Sequence, residues 1–232
     1  PIRLDSKPNC IPYGLATMAA VLRGKGFDVE LYDVNALRPS KKALLEKLQR
    51  KSWNVVGLSG LVTTYGFQKW LIPHLKTLNP GAPVISGGGL ATSSSELLFQ
   101  HTPVDIAVIG EGEETLIELC RALERSDPLA GVAGIRFREN GHLVTTAARA
   151  PVEDLDAVPF PAWDLLPMDI YLRNPIWGDG TGNSSGFRKD IRVARSMNVI
   201  SSRGCPFSCD YCYHLFGRSN YRFRSARSVR AT

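Results

Sequence analysis

Residues 82–112 read APVISGGGLATSSSELLFQHTPVDIAVIGEG. An apolar run, Ala82–Ser86, opens into Gly87-Gly88-Gly89, and a helical stretch follows around Ser94–His101. A second apolar run, Val104–Ile109, opens into Gly110-Glu111-Gly112-Glu113. Strand, glycine turn, helix, strand, glycine turn is the repeating unit of an α/β fold with a parallel sheet and right-handed crossovers. Continuously apolar strands such as VDIAVI suit a sheet covered on both faces. Working outward from this stretch, Asn54–Ser59 (NVVGLS) predicts another strand, and Tyr65–Leu78 a helix with Pro73 as an interior irregularity. Further back, Ser40 is placed to cap a helix through Leu44, Leu45 and Leu48. Asp28–Asp33 (DVELYD) predicts a short strand, and Leu15–Leu22 carries a helical apolar stripe ending near Gly24 and Gly26.

Beyond the quoted stretch, Glu113–Glu124 predicts a helix. Gly134–Arg138 and Leu143–Thr146 read as a β-hairpin across an Asn140-Gly141 turn. Residues 151–169 carry four prolines and little periodicity, which marks a linker, and residues 174–190, rich in Gly, Asn and Ser, read as a loop. A last strand, Met197–Ser202, leads into a cluster of cysteines. The expected organisation is an α/β domain over residues 1–128, a hairpin and Pro/Gly-rich linker over 129–190, and the start of a second domain over 191–232.

The bulk numbers bound the class. With 232 residues, 44% of them apolar and 22% charged, the chain has the make-up of an ordinary globular protein. No apolar run approaches the ~20 residues needed to span a bilayer. The opening residues show no secretory pattern, so the cytoplasm is the expected location. Five cysteines, three of them between positions 205 and 212, suit reduced thiols rather than a disulfide framework. The net charge of +6 is unevenly spread: residues 186–232 hold ten Lys/Arg and two Asp/Glu, so the first 185 residues sum to −2. A basic segment such as Arg218–Arg230 can neutralise phosphates, but it lacks the aromatic-basic face of a nucleic-acid module, and a solvated surface accounts for it equally.

The segment Arg203-Gly204-Cys205-Pro206-Phe207-Ser208-Cys209-Asp210-Tyr211-Cys212 holds the spacing C-x3-C-x2-C. Three thiolates on one short loop reach three irons of a cubane cluster and leave the fourth open to an exogenous ligand. Gly204 and Pro206 suit a loop that turns tightly around a bulky inorganic body. A Cys3His zinc site with His214 is the rival reading, but zinc ligands usually come from two segments well apart in sequence. Cys10 and Cys120 read as bystanders, Cys120 on the apolar side of a helix.

The cysteine spacing, with Gly204 before the first cysteine and Tyr211 before the last, resembles the signature of radical S-adenosylmethionine (SAM) enzymes. The whole chain resembles the branch of that family that carries a cobalamin-binding (B12-binding) domain. Ser59-Gly60-Leu61 matches its S-x-L, 26 residues separate Leu61 from Gly88-Gly89, and Gly110-Glu111-Gly112-Glu113 is similar to its G-E-G-E turn. The resemblance implies a flavodoxin-like or Rossmann-like cobalamin-binding domain followed by the beginning of a TIM-like partial barrel. It implies a 4Fe-4S cluster on Cys205, Cys209 and Cys212, with SAM at the open iron and Tyr211 near its adenine. Reductive cleavage of SAM would then give a 5′-deoxyadenosyl radical, and methyl transfer or a related reaction on an unactivated carbon of a small molecule would follow. An external flavodoxin-type or ferredoxin-type electron donor is implied as well. Cobalamin contacts are expected from Ser59, Leu61, Gly87, Gly88, Gly89, Gly110 and Glu111, on loops at the carboxyl ends of the strands.

Two departures accompany the resemblance. The stretch matching the D-x-H-x-x-G motif of many cobalamin domains is Pro12-Tyr13-Gly14-Leu15-Ala16-Thr17, without the cobalt-ligating histidine. The chain is also expected to be truncated: Pro1–Pro12 reads as the loop after a first strand, and 20 residues follow Cys212 where such a barrel needs on the order of 200. Alternatives are a radical SAM protein whose front domain binds no cobalamin, a nucleic-acid binder using the basic segment, and a tRNA methylthiotransferase, which such a front half resembles poorly.

Overall fold

The computed structural model describes residues 10–172, 199–213 and 221–230. The loop expected over 174–190, the residues before Cys10, His214 and Arg218 lie outside these ranges. The first half is a helix-and-strand alternation: α1 (Tyr13–Arg23), α2 (Val34–Leu37), α3 (Lys41–Leu48), β1 (Val56–Ser59), α4 (Tyr65–Leu78), β2 (Val84–Gly87), α5 (Gly88–His101), β3 (Ile106–Val108) and α6 (Glu113–Arg125). A hairpin, β4 (Ile135–Glu139) and β5 (His142–Thr145), follows it. Beyond lie α7 (Met168–Leu172), β6 (Ser202–Arg203), β7 (Arg222–Phe223) and α8 (Ala226–Arg230).

The main sheet runs β1-β2-β3-β4-β5. The first three strands are parallel, with Val56 opposite Val84 and Ile85 opposite Ile106. Alternation along β2 and β3 sorts the core onto two faces. Val84 and Ala107 pack with Leu44, Leu71, Ile72, Leu75, Leu98 and Phe99 beneath α3, α4 and α5. Ile85, Ile106 and Val108 pack with Leu119, Ile135 and Phe137 on the opposite face, against α6. Each buried Val, Leu, Ile or Phe among them contributes roughly 1.5–3 kcal/mol relative to exposure.

Three expectations are corrected. The sheet is mixed, because β4 adds antiparallel to β3 (Val108 opposite Ile135) and the hairpin covers the edge that β3 would otherwise present. Its Asn140-Gly141 turn has φ of 49° and 82°, the left-handed pair a two-residue hairpin requires. Asp28–Asp33 forms no strand: among the described residues no strand ladder includes it, and Asp33 instead caps α2 by accepting from the Ala36 N–H at 3.0 Å. Of the strand expected over Met197–Ser202, residues 197 and 198 lie outside the described residues, and among the rest the strand is Ser202–Arg203. Among the described residues, ladder pairing joins Ser202 and Arg203 to Phe223 and Arg222, and Arg224 donates its N–H to Ser201 O at 2.8 Å.

The proline-rich linker is strapped across α1. Ala162 N–H donates to Ala16 O at 3.0 Å, Trp163 meets the Tyr13 ring edge-on at 5.1 Å, and Asp164 pairs with Arg23 at 2.7 Å. Prolines leave few donors to satisfy, and short 3-10 turns at Leu155–Ala157 and Trp163–Leu165 let the linker lie against the domain at little cost.

Candidate functional site

The carboxyl ends of β1, β2 and β3 deliver three turns to one place: Ser59-Gly60, Gly87-Gly88 and Gly110–Glu113. Beyond them lies a cavity of about 510 Å³. The amino-terminal turn of α1 (Tyr13, Gly14, Met18) and Phe160 and Pro161 of the linker form two further walls. The last wall is Val199, Ile200, Ser202, Arg203 and Gly204, the strand running into the cysteine loop.

Glycine is required at two of these positions by geometry. Gly88 has φ +78°, and a Cβ there would stand 2.6 Å from Ser59 Oγ and 3.1 Å from Gly60 O. A Cβ on Gly60 would meet Thr64 Oγ1 at 2.2 Å and Gln68 Nε2 at 3.0 Å. The two turns are therefore interlocked, and Leu90 N–H donates to Gly60 O at 2.9 Å. Beneath them the fully buried Ser86 hydroxyl donates to Gln68 Oε1 at 2.9 Å.

Of the residues expected at the cofactor, Ser59, Gly87, Gly88, Gly110 and Glu111 line the cavity, while Leu61, Gly89 and Tyr211 stand outside its wall. Leu61 and Tyr211 are exposed, Tyr211 by 93%. Among the described residues no histidine lines the cavity. At the mouth Tyr13 carries a buried hydroxyl with no hydrogen-bond partner among the described residues, and burial raises its pKa. Gly14, Gly57 and Gly110 line the cavity with open space where a Cβ would stand. Glycine walls and an unpaired hydroxyl fit a bulky ligand that approaches backbone closely.

Glu111 is not free to turn toward a ligand. It takes two hydrogen bonds from the Arg222 guanidinium, at 2.6 and 2.9 Å, and one from Val152 N–H at 2.8 Å. Arg203 lies 3.5 Å from Glu111 and donates to Glu113 at 2.5 Å. Burial alone would push the Glu111 carboxyl up. The hydrogen bonds from Arg222 and Val152 and the charges of Arg203 and Arg222 together outweigh it, and hold the group below the ordinary carboxylate range.

The cysteine loop leaves β6 through Gly204, which has φ +83°. Cys205 and Cys209 are half-buried, Cys212 is exposed, and all three thiols are free. Cys212 N–H donates to Cys209 O at 3.1 Å, which turns the loop back on itself. Among the described residues no three His, Cys, Asp or Glu side chains converge on one point, so the fit to a cluster lies in the donor set, three accessible thiols on one loop. Cys120 behaves as a packing residue: burial, then the Glu124 charge, pushes its thiol up to about 11.

Arg203, Arg222 and Tyr13 join the site without having been singled out in the sequence, and Glu113 joins it from the G-E-G-E turn. The signal for Arg222 was the alternation Tyr221-Arg222-Phe223-Arg224, which reads as an ordinary solvated strand until its buried partner is known.

An open α/β sheet with a glycine-walled cavity beyond its carboxyl edge defines a module that binds a bulky small-molecule cofactor. The chain belongs to the B12 binding domain family, whose model matches residues 1–120, more than half its length. It is 30% identical over 203 residues to an uncharacterized methyltransferase of Pyrococcus horikoshii, covering 87% of this chain and 40% of that protein. It is 26% identical over 223 residues to the anaerobic magnesium-protoporphyrin IX monomethyl ester cyclase of Cereibacter sphaeroides, covering 94% and 34%. Among solved structures, the radical SAM methyltransferase TsrM from Kitasatospora setae, with cobalamin and a 4Fe-4S cluster bound, aligns with a TM-score of 0.67 at 21% identity. That alignment covers 97% of this chain and 42% of TsrM. The cobalamin-dependent SAM radical enzyme OxsB aligns at 0.71 and 20% identity over 94% of this chain and 28% of its own. The chain thus spans less than half of each of these proteins, and the shared fold extends past the α/β domain into the cysteine-bearing segment.

Proposed function

We propose that this chain is the cobalamin-binding and cluster-bearing part of a radical SAM enzyme that acts on an unactivated carbon of a small molecule, by methyl transfer or a related reaction. The observation that carries the reading is the shared cavity wall: glycine turns of the sheet on one side, and on the other the strand that runs into the C-x3-C-x2-C loop. That arrangement supports a cobalamin site beside a SAM site, which a two-cofactor reaction needs. When bound, the cluster supplies the electron that cleaves SAM, and cobalamin carries the methyl group.

The chain's own residues then bind and orient. Cys205, Cys209 and Cys212 hold three irons and leave one for SAM. Ser59, Gly87, Gly88 and Gly110 let the corrin approach backbone, and Phe160 and Pro161 exclude water from the linker side. Tyr211, Leu61 and Gly89 are assigned to SAM and cobalamin by motif position alone. The reaction requires a reductant of the flavodoxin or ferredoxin type, and the cytoplasm suits its oxygen-sensitive cluster. No helix among the described residues is long and apolar enough to cross a membrane.

Anaerobic reconstitution of the full chain with iron and sulfide tests the cluster. The expected outcome is broad visible charge-transfer absorption that Cys205→Ala, Cys209→Ala or Cys212→Ala abolishes. Titration with hydroxocobalamin tests the cavity. Saturable binding supports the reading, whereas a cluster without cobalamin binding would move the chain to radical SAM proteins with an empty front domain.

A further inference from the structure

We propose that the Gly110–Glu113 turn is a positioning latch: Glu111 and Glu113 hold the paired arginines of β6 and β7 and so set where the cysteine loop stands over the cavity. The latch deepens the functional reading above, because the loop it positions is the proposed cluster site.

The case begins with a conflict inside the small sheet. Arg203 and Arg222 are direct partners across the β6–β7 ladder, so both guanidinium groups emerge on one face, side by side. Like charges placed directly opposite on neighbouring strands destabilise the pairing. Among the described residues this ladder is two residues long, extended by the Arg224 N–H bond to Ser201 O at 2.8 Å. The conflict is resolved by the front domain. Glu111 grips Arg222 with both oxygens, at 2.6 and 2.9 Å, and sits 3.5 Å from Arg203, while Glu113 takes Arg203 at 2.5 Å. Arg222 also donates to Val152 O at 2.5 Å, which ties the linker into the same cluster.

The turn that carries the carboxylates is held by contacts of its own. Gly110 turns in the left-handed region at φ +80° with its N–H donating to Thr92 Oγ1 at 3.1 Å, and a Cβ on Gly112 would stand 3.3 Å from Met18 Sδ. The four side chains are shielded: Glu111, Glu113 and Arg222 expose 6–8% of their surface and Arg203 24%. A shielded ion cluster does little for net stability against an apolar substitute, but removing one member leaves a buried charge without a partner. Such a cluster specifies geometry. Arg203 lies two residues before Cys205, so the geometry specified is that of the cluster loop.

The test uses the full chain, prepared anaerobically, with amide hydrogen exchange as a readout that needs no cofactor. Glu111→Gln is expected to raise exchange at residues 199–203 and 222–225 by at least about tenfold while β1–β3 stay protected. Arg222→Lys, which keeps the charge and loses the two-pronged contact, falls between that variant and the parent. The double exchange Glu111→Arg with Arg222→Glu restores protection. Unchanged exchange in Glu111→Gln, or loosening that spreads equally through β1–β3, overturns the latch. With the cluster and cobalamin both loaded and reduced to paramagnetic states, pulsed dipolar spectroscopy of the parent should give one narrow iron–cobalt distance that Glu111→Gln broadens. A parent that binds no cobalamin sinks the functional reading, and the exchange result then judges the latch by itself.

Discussion

Glu111 and Gly88 show how single residues decide this site. The Glu111 carboxyl is held below its ordinary pKa of 4.5, so its folded-state contribution is complete above that value and lost as pH falls through the lower folded value. The stability gap between the parent and Glu111→Gln should therefore be widest near neutrality and narrow on acidification below about pH 4.5. Thermal unfolding of the cofactor-free chain across that range measures it, and a gap that widens in acid would contradict the geometry. For Gly88, φ +78° and the 2.6 Å approach to Ser59 Oγ act together. Gly88→Ala is expected to lose about 2–4 kcal/mol, from left-handed strain plus steric overlap. Gly110→Ala, with φ +80° but open space around the added methyl, should lose about 1–2 kcal/mol. Equal losses in denaturant titration would mean that the interlock of the two turns is not what Gly88 serves. The glycine triplet and the C-x3-C-x2-C spacing were both legible in the chain. That Gly88 locks against Ser59, or that Glu111 spends its oxygens on Arg222, was not, because both depend on contacts 29 and 111 residues apart, and no local pattern encodes them.

At the scale of elements, segments with a strong period and a local stop signal were readable. Tyr65–Leu78 has the helix bounds its apolar pattern implies despite Pro73, Ser40 caps α3 by accepting from Ala43 N–H at 3.2 Å, and Asn140-Gly141 turns the hairpin. Asp28–Asp33 failed for a physical reason: alternation makes a chain extended, but only a partner's backbone makes it a strand. Asp33 shows what that segment does instead. Its carboxylate caps α2 and receives the Tyr171 hydroxyl of α7 at 2.5 Å, so two short helices are stapled by a buried acid. Burial first, and then Asp33, raises the pKa of Tyr171, which keeps its proton available to donate. Tyr171→Phe leaves half of a buried carboxylate's hydrogen bonding unmet and should lose about 1–3 kcal/mol. Faster amide exchange confined to residues 33–37 and 168–172 would locate the loss. A variant as stable as the parent would show that the staple contributes nothing.

Taken whole, the molecule joins an acidic front to a basic end. Residues 1–185 sum to −2 and residues 186–232 to +8, and part of that imbalance meets at Glu111, Glu113, Arg203 and Arg222. The basic segment is thus partly spent on the front domain, which also weakens its claim to bind nucleic acid: Arg224 donates to Val158 O at 2.9 Å and lies over the Phe160 ring. The consequence is a cavity that belongs to neither half alone. A ligand binding only the folded chain stabilises it by mass action, about 2.7 kcal/mol at a hundredfold excess over its dissociation constant. That stabilisation must be felt wherever the wall is built. Adding hydroxocobalamin to the full chain should therefore slow amide exchange at the sheet turns (57–60, 85–88, 108–113), at Phe160, and at residues 199–204 over one shared concentration range. Protection restricted to the turns would mean that the strand leading to Cys205 is no part of the cofactor's wall, and the two sites would then lie in separate chambers. Protection appearing on both sides at the same midpoint requires a single enclosure, because two independent patches have no reason to saturate together.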